Sequence, residues 1–236
     1  MVEKKKILLK LTGEVFLSND GTFLSTERIK TITDQINRLS DKYQFGIVVG
    51  GGNILRGEKQ GKQIGLTPSY GHQTGMLATI INGVILKDTF EQKGLCTCLL
   101  SSIFCPQVSE ILSDQNIQTA LRKNNTIIFV GGTGAPFFTT DTNAIIRGLQ
   151  MGAAEVWKAT GVDGVFDSDP EKNPDAKFLK KIKYSDAISK KLGILDMTAM
   201  VMAEKHNLNT RVFNIFKPDA LVKTSESEDF GSLIHR

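Results

Sequence analysis

Short apolar runs alternate with amphipathic stretches along the chain. Residues 7–11 read as a buried strand, 45–49 as a second, 95–100 as a third and 126–130 as a fourth. A strand-like run at 154–158, a late strand at 211–215 and another at 232–235 follow. Between them the apolar period lengthens to that of a helix. Ser25 is placed to cap a helix on which Ile29, Ile32, Ile36 and Leu39 share one face. A second helical stretch sets Met76, Leu77, Ile80, Ile81 and Val84 on its expected buried side. Further helices are expected up to Leu121 and Arg122, over 144–151, near 185–191 and over 198–206. The polar segment 162–183, with Pro170 and Pro174, reads as a long loop or small hairpin over the sheet. Strands alternating with helices imply an α/β fold with a mostly parallel sheet covered on both faces. With no internal repeat or low-complexity linker, residues 1–236 are expected to form a single domain.

Composition narrows the function classes. At 236 residues, 40 % apolar and 23 % charged, the chain has enough material for one sizeable core. No apolar run is long enough to cross a membrane, and Lys10 interrupts the first one too early for a signal-peptide core. A cytoplasmic location is therefore expected. The net charge of +4 is spread out, with short runs only at Lys4-Lys5-Lys6 and Lys180-Lys181, so there is no clear nucleic-acid surface. Cys96, Cys98 and Cys105 are odd in number and lack a second pair or a nearby His, which argues against disulfides and zinc. Cys96 and Cys98 are expected as small apolar residues on one strand face, and no protein metal site is expected.

The chemistry gathers where predicted strands end. Lys10-Leu11-Thr12-Gly13-Glu14 follows the first strand. Gly50-Gly51-Gly52-Asn53, with Arg56 beyond, follows the second, and Gly131-Gly132-Thr133-Gly134-Ala135-Pro136 the fourth. Lys158-Ala159-Thr160-Gly161-Val162-Asp163-Gly164 closes the fifth. In an open α/β sheet these ends share one rim, where ligands bind. Glycines let a phosphate approach backbone N–H groups, and Thr139-Thr140-Asp141 precede a helix whose N-terminus favours anions. Taken singly, each signal has a plain structural explanation: a turn, a helix cap or a surface cation. Four strand ends carrying the same chemistry make the case. Two common nucleotide devices are absent. Gly52 and Gly57 have P-loop spacing but Glu58-Lys59 follow, and Leu55 occupies the third glycine of a dinucleotide fingerprint.

These residues resemble the UMP kinases of the amino acid kinase superfamily. The likeness is carried by Leu8 to Glu14, Val48 to Asn53 with Arg56-Gly57, Gly75-Met76-Leu77-Ala78-Thr79, and Gly132 to Asp141. Lys158-Ala159-Thr160, Val162 to Phe166, Asp169-Pro170, Asp196 and Arg211 to Asn214 complete it. The run Thr-Gly-x-Pro-Phe-Phe-Thr-Thr-Asp is its most specific part and separates UMP kinases from acetylglutamate, carbamate and aspartate kinases. The resemblance implies a three-layer αβα sandwich and transfer of the γ-phosphoryl group of ATP, with Mg²⁺, to UMP. It implies ATP binding by Lys10, Leu11, Thr12, Gly13, Gly52, Arg56, Thr160, Phe166 and Asp169. UMP would lie among Gly51, Thr133, Gly134, Ala135, Pro136, Phe137, Phe138, Thr139 and Thr140. Lys10, Lys158 and Asp141 would be catalytic, Asp141 as an organiser of the lysines. A homohexamer and feedback inhibition by UTP are implied as well. The alternatives are another acid kinase of the same fold, which the Phe137-Phe138-Thr139-Thr140-Asp141 run opposes, and a non-catalytic nucleotide-storage protein. Retention of Lys10, Asp141 and Lys158 together opposes the second. Gly71-His72 stands where the family commonly has Ala-Asp, whose carboxylate accepts from the UMP ribose hydroxyls, so that role is not carried over. Residues 18–23 also differ from the glycine-richer loop that relatives use for GTP activation.

Overall fold

The computed structural model describes residues 4–18, 24–55, 61–168, 173 and 175–236. Arg56, Gly57, Asp169, Pro170, Pro174 and the segment 19–23 lie outside the described residues. Among the described residues nine strands form one sheet: β1 (Lys5–Leu11), β2 (Tyr43–Val49), β3 (Thr97–Ser101), β4 (Glu110–Ile111), β5 (Thr126–Val130), β6 (Glu155–Thr160), β9 (Lys181–Lys183), β10 (Thr210–Asn214) and β11 (Ser232–His235). Their order is β4-β3-β5-β2-β1-β6-β10-β11-β9. Every neighbouring pair is parallel except β10 with β11. Two short strands, β7 (Val165–Phe166) and β8 (Phe178–Leu179), pair antiparallel as the small hairpin expected within 162–183.

The helices are α1 (Thr26–Leu39), α2 (Pro68–Gln92), α3 (Asp114–Arg122), α4 (Thr140–Met151), α5 (Tyr184–Ser189), α6 (Met197–Lys205) and α7 (Ala220–Glu226). Alternation along β1 sorts them into two layers. Ile7, Leu9 and Leu11 face one side, packed in a cluster with α1, α2 and α7. Leu8 faces the other, in a cluster with α3, α4, α5 and α6. Each fully buried Leu or Ile here contributes about 1.5–3 kcal/mol, which is why nearly continuous apolar runs make the central strands. Ser25 caps α1 as expected, its Oγ accepting from the Arg28 N–H at 3.3 Å, and Ile29, Ile32, Ile36 and Leu39 are buried.

Two expectations need correction. On α2 only Ile80 of the five expected apolar positions is buried; Leu77, Ile81 and Val84 are exposed and Met76 half-buried. The sheet side of α2 instead carries Ala78, Thr79, Asn82, Gly83, Leu86 and Phe90. A helix apolar all round gives no period to choose a face, and close approach to the sheet chose the small residues. A Cβ on Gly83 would meet Val130 Cγ1 at 2.3 Å and Leu99 Cδ1 at 3.0 Å. Cys96 is exposed and precedes β3, so only Cys98 is a buried strand residue. All three cysteines are free.

Alanine at an exposed helix glycine gains about 0.5–1 kcal/mol. At Gly83 the sign is expected to reverse, with G83A losing about 1–3 kcal/mol through overpacking against Val130. The midpoint of urea unfolding, compared with wild type, checks it; a raised midpoint refutes the close packing.

Candidate active site

Parallel pairing in the order β5-β2-β1-β6 brings the four glycine-bearing strand ends to one rim. Lys10 on β1 and Lys158 on β6 are register partners, so their side chains leave the sheet on the same face. It is the face of Leu8 and Val156, two residues earlier, which pack with Ala144 and Ile145 of α4. The first turn of α4 therefore meets both lysines. Lys158 Nζ donates to Asp141 Oδ2 at 2.6 Å, and to the carbonyl oxygen of Ile194. Lys10 Nζ lies 3.2 Å from Asp141 Oδ1 as an ion pair, outside hydrogen-bond geometry, so Oδ1 has no hydrogen-bond partner among the described residues. Burial alone pushes the Asp141 carboxyl up, but Lys10 and Lys158 overcome it and hold its pKa below the usual carboxylate range. Burial pulls the Lys158 ammonium down, with Asp141 opposing and Lys10 adding to the shift.

The helix start is fixed by a second carboxylate. Thr139 caps α4, its Oγ1 accepting from the N–H groups of Asp141 at 3.1 Å and Thr142 at 3.2 Å. The Thr139 hydroxyl donates to Asp196, and the Thr142 hydroxyl reaches both Asp196 oxygens at 2.8 Å. Asp196 in turn caps α6, accepting from the Ala199 N–H at 3.0 Å.

Two cavities lie near the cluster, the second lined by Lys158 and the first by Thr139 and Thr140, next to Asp141 in the chain. The first, of about 280 Å³, is lined by Gly51, Thr133, Ala135, Phe138, Thr139 and Thr140 among others. Gly52, expected with the ATP group, lines this cavity beside Gly51. Gly134, Pro136 and Phe137 belong to the same loop but do not line it. His72 does, with its ring 5.0 Å from that of Phe137. The second cavity, of about 600 Å³, is lined by Lys158, Thr160 and Phe166, with the loop Lys190 to Ile194 on its far side. Leu11, Thr12 and Gly13 line neither; Thr12 Oγ1 accepts from the Glu14 N–H at 3.4 Å and Gly13 packs on Gly52.

Several supporting residues had no role assigned from the sequence, Thr79 standing there only as the end of the Gly75 to Thr79 run. Thr79 on α2 accepts the N–H of Gly131 at 2.8 Å, which fixes a glycine held at φ +75°. One turn on, Asn82 donates to the carbonyl of Gly50 at 2.8 Å and exchanges hydrogen bonds with Asn53. Arg147 of α4, 5 % exposed, donates to Ser102 Oγ at 3.0 Å and to the carbonyl of Gly132 at 3.3 Å. Burial pulls its pKa down to about 10, with Asp114 opposing. A polar residue at a sheet-facing helix position was the only available signal for all three. Among the described residues no group of three or more His, Cys, Asp or Glu is placed to hold a metal ion, and no helix is long and apolar enough to cross a membrane.

The amino acid kinase family profile matches residues 5–214. A uridylate kinase of Thermotoga maritima is 40 % identical over 97 % of this chain and 98 % of its own. The chain belongs to the UMP kinase branch of the amino acid kinase family. The crystal structure of the UMP kinase from Ureaplasma parvum superposes with a TM-score of 0.95 at 36 % identity, covering 99 % of both chains. That from Bacillus anthracis gives 0.93 at 31 %, over 98 % of this chain and 96 % of the other.

The depressed Asp141 pKa has a signed consequence. A carboxylate lowered on folding stabilises the fold above its unfolded pKa of about 3.9, and the gain is lost as pH falls through the lower folded value. D141N removes that acid-side slope and leaves two lysines without their counter-charge, a loss of about 3–5 kcal/mol at neutral pH. Urea unfolding of wild type and D141N from pH 3 to 7 measures both; equal stability at neutral pH refutes the clamp.

Proposed function

We propose that the chain transfers the γ-phosphoryl group of ATP to UMP, giving ADP and UDP for pyrimidine nucleotide biosynthesis. The observation that carries this reading is the Lys10–Asp141–Lys158 cluster, with Lys158 lining one cavity and Thr139 and Thr140, next to Asp141 in the chain, lining another within the Thr133 to Thr140 run. UMP occupies the first cavity, among Gly51, Gly52 and Thr133 to Thr140. ATP occupies the second, its base and ribose side near Thr160, Phe166 and Asp169. Its phosphates run toward Lys10, Leu11, Thr12, Gly13 and Arg56.

Phosphoryl transfer asks for alignment and for neutralisation of the equatorial oxygens. Lys10 and Lys158 supply two cations at neighbouring register positions, and Asp141 fixes where they point. A UMP phosphate oxygen is already an anion, so no general base is required and Asp141 acts as an organiser. The glycine loops supply N–H donors for the acceptor phosphate, and the N-terminus of α4 favours its charge. Mg²⁺ accompanies ATP and neutralises its phosphates when bound. The donor set fits an ion carried mainly by phosphate oxygens and water, since the nearest carboxylate, Asp141, is engaged by both lysines.

A coupled ADP-release assay is expected to show turnover of UMP well above CMP, AMP, acetylglutamate or carbamate. K10A and K158A each lower kcat about a hundredfold, the usual cost of losing one transition-state stabiliser. Equal or better use of CMP refutes the substrate assignment; near-normal kcat in both variants refutes the lysine roles.

The reading extends to assembly. Leu77, Ile81 and Val84 are 50 %, 47 % and 39 % exposed and recur at helical spacing on α2, an apolar stripe that a symmetric copy would cover. A homohexamer subject to UTP inhibition is the proposed state. Light scattering giving a stable monomer at working concentration, or a rate indifferent to UTP, refutes the corresponding half.

A further inference from the structure

Asn143 stands in the first turn of α4 and lines the first cavity together with Val49, Gly51, Thr79 and Thr140. The residue is 2 % exposed. Its backbone is settled, the N–H donating to the Thr139 carbonyl at 3.1 Å. Its side chain is not: Oδ1 is buried and has no hydrogen-bond partner among the described residues. An amide kept this way costs stability, and Asn is also a weaker helix former than the aliphatic residues that would fill the same floor. The neighbours do not explain it. Val49 has no polar side chain, and the Thr79 hydroxyl is already used, donating to the Met76 carbonyl and accepting from Gly131.

We infer that Asn143 is a binding residue for the acceptor nucleotide, its Nδ2 donating to an oxygen of the UMP phosphate. The inference rests on the UMP kinase reading and adds to it a residue that reading did not include. Position selects the phosphate. Asn143 sits in the first turn of α4, whose N-terminus favours anions, and lines the cavity together with Gly51 and Thr140. His72 and Phe138 line the same cavity and are more exposed, which leaves the base and ribose to them. Nδ2, unlike Oδ1, is not a buried unpartnered atom and makes no hydrogen bond among the described residues, so it can donate to an anion in the cavity as it stands.

The test uses two variants of the full chain. N143D keeps the shape and sets negative charge beside the acceptor phosphate, whereas N143A only removes the group. N143A is expected to raise the UMP KM about fivefold to tenfold, and N143D at least about fiftyfold, with the ATP KM within about twofold in both. Calorimetric Kd values for UMP without ATP should follow the same order. The Tm of ligand-free N143A should be unchanged or higher, because a buried oxygen without a partner is removed. Overturning results are an N143D that binds UMP as well as N143A, which assigns the contact to a donor on the base or ribose, or a UMP KM unchanged in both variants. A lowered N143A Tm with normal UMP affinity makes the residue structural and also overturns the assignment. Wild type that does not bind UMP removes the parent reading and this assignment together; wild type that binds it and variants that match remove this assignment alone.

Discussion

Two ammonium groups at register positions on adjacent strands are an unstable arrangement by themselves. Strands lie about 4.8 Å apart, and at an effective dielectric of about 20 two unit charges at that separation repel by roughly 3 kcal/mol. Asp141 turns this liability into a fixed cationic pair, one oxygen toward each lysine. The carboxylate works only if the first turn of α4 stays where it is. Thr139 and Thr142 hold that turn to Asp196, and Asp196 holds it to α6. Ile194, which takes the other Lys158 hydrogen bond, belongs to the loop leading into Asp196 and also lines the second cavity. The charge cluster, the helix start and the wall of the second cavity are thus one connected piece.

The glycine loops need a different kind of support, because glycine chains have no preferred shape of their own. Here the support comes from buried polar side chains on the helices that cover the loops. Thr79 and Asn82, one turn apart on α2, hold the Gly131 and Gly50 backbones respectively. Arg147 reaches the Gly132 carbonyl from the other layer. Gly131, Gly132 and Gly134 all have positive φ, and so does Phe137 at 71°. For a bulky residue that conformation is strained and persists only when its surroundings enforce it. A loop of this composition pinned from both sides presents its N–H groups in one arrangement, which suits recognition of one acceptor.

Much of this was legible in the sequence. Residues 126–130 and 232–235 form strands with the expected bounds, because continuous apolar runs between turn signals have one sensible interpretation in an α/β fold. The rim was legible for the same reason: parallel strands put every C-terminal end on one side. The misread face of α2 had the opposite cause, an apolar helix whose contact with the sheet is set by small residues. β4, β7 and β8 are two residues long, too short for any period to show, and β9 is Lys181-Ile182-Lys183, two of whose three residues read as surface. Within the site, the lysines and glycines announced themselves by residue type. Thr79, Asn82, Asn143 and Arg147 did not, because a polar residue inside a helix shows its purpose only once its tertiary neighbours are known.

Those hidden residues share a pattern that bears on how the site divides its labour. Among the described residues four buried side-chain atoms lack a hydrogen-bond partner, and three of them, on Asp141, Asn143 and Arg147, belong to α4. Native interiors satisfy nearly all such groups, so a concentration on one helix needs a cause. Stability alone would have selected apolar residues at positions 143 and 147, since both are buried and face packed elements. The helix instead keeps polar groups whose cost is borne by the rest of the core: a floor group for the first cavity, an organiser for the lysines and an anchor for the acceptor loop. The second cavity differs: among the described residues its walls carry no buried unpartnered atom, and its partly buried Lys158 is paired with Asp141 of α4. On the proposed assignment, recognition of the acceptor and alignment of the transferred group both depend on α4, and the donor cavity meets that helix through the Lys158–Asp141 pair.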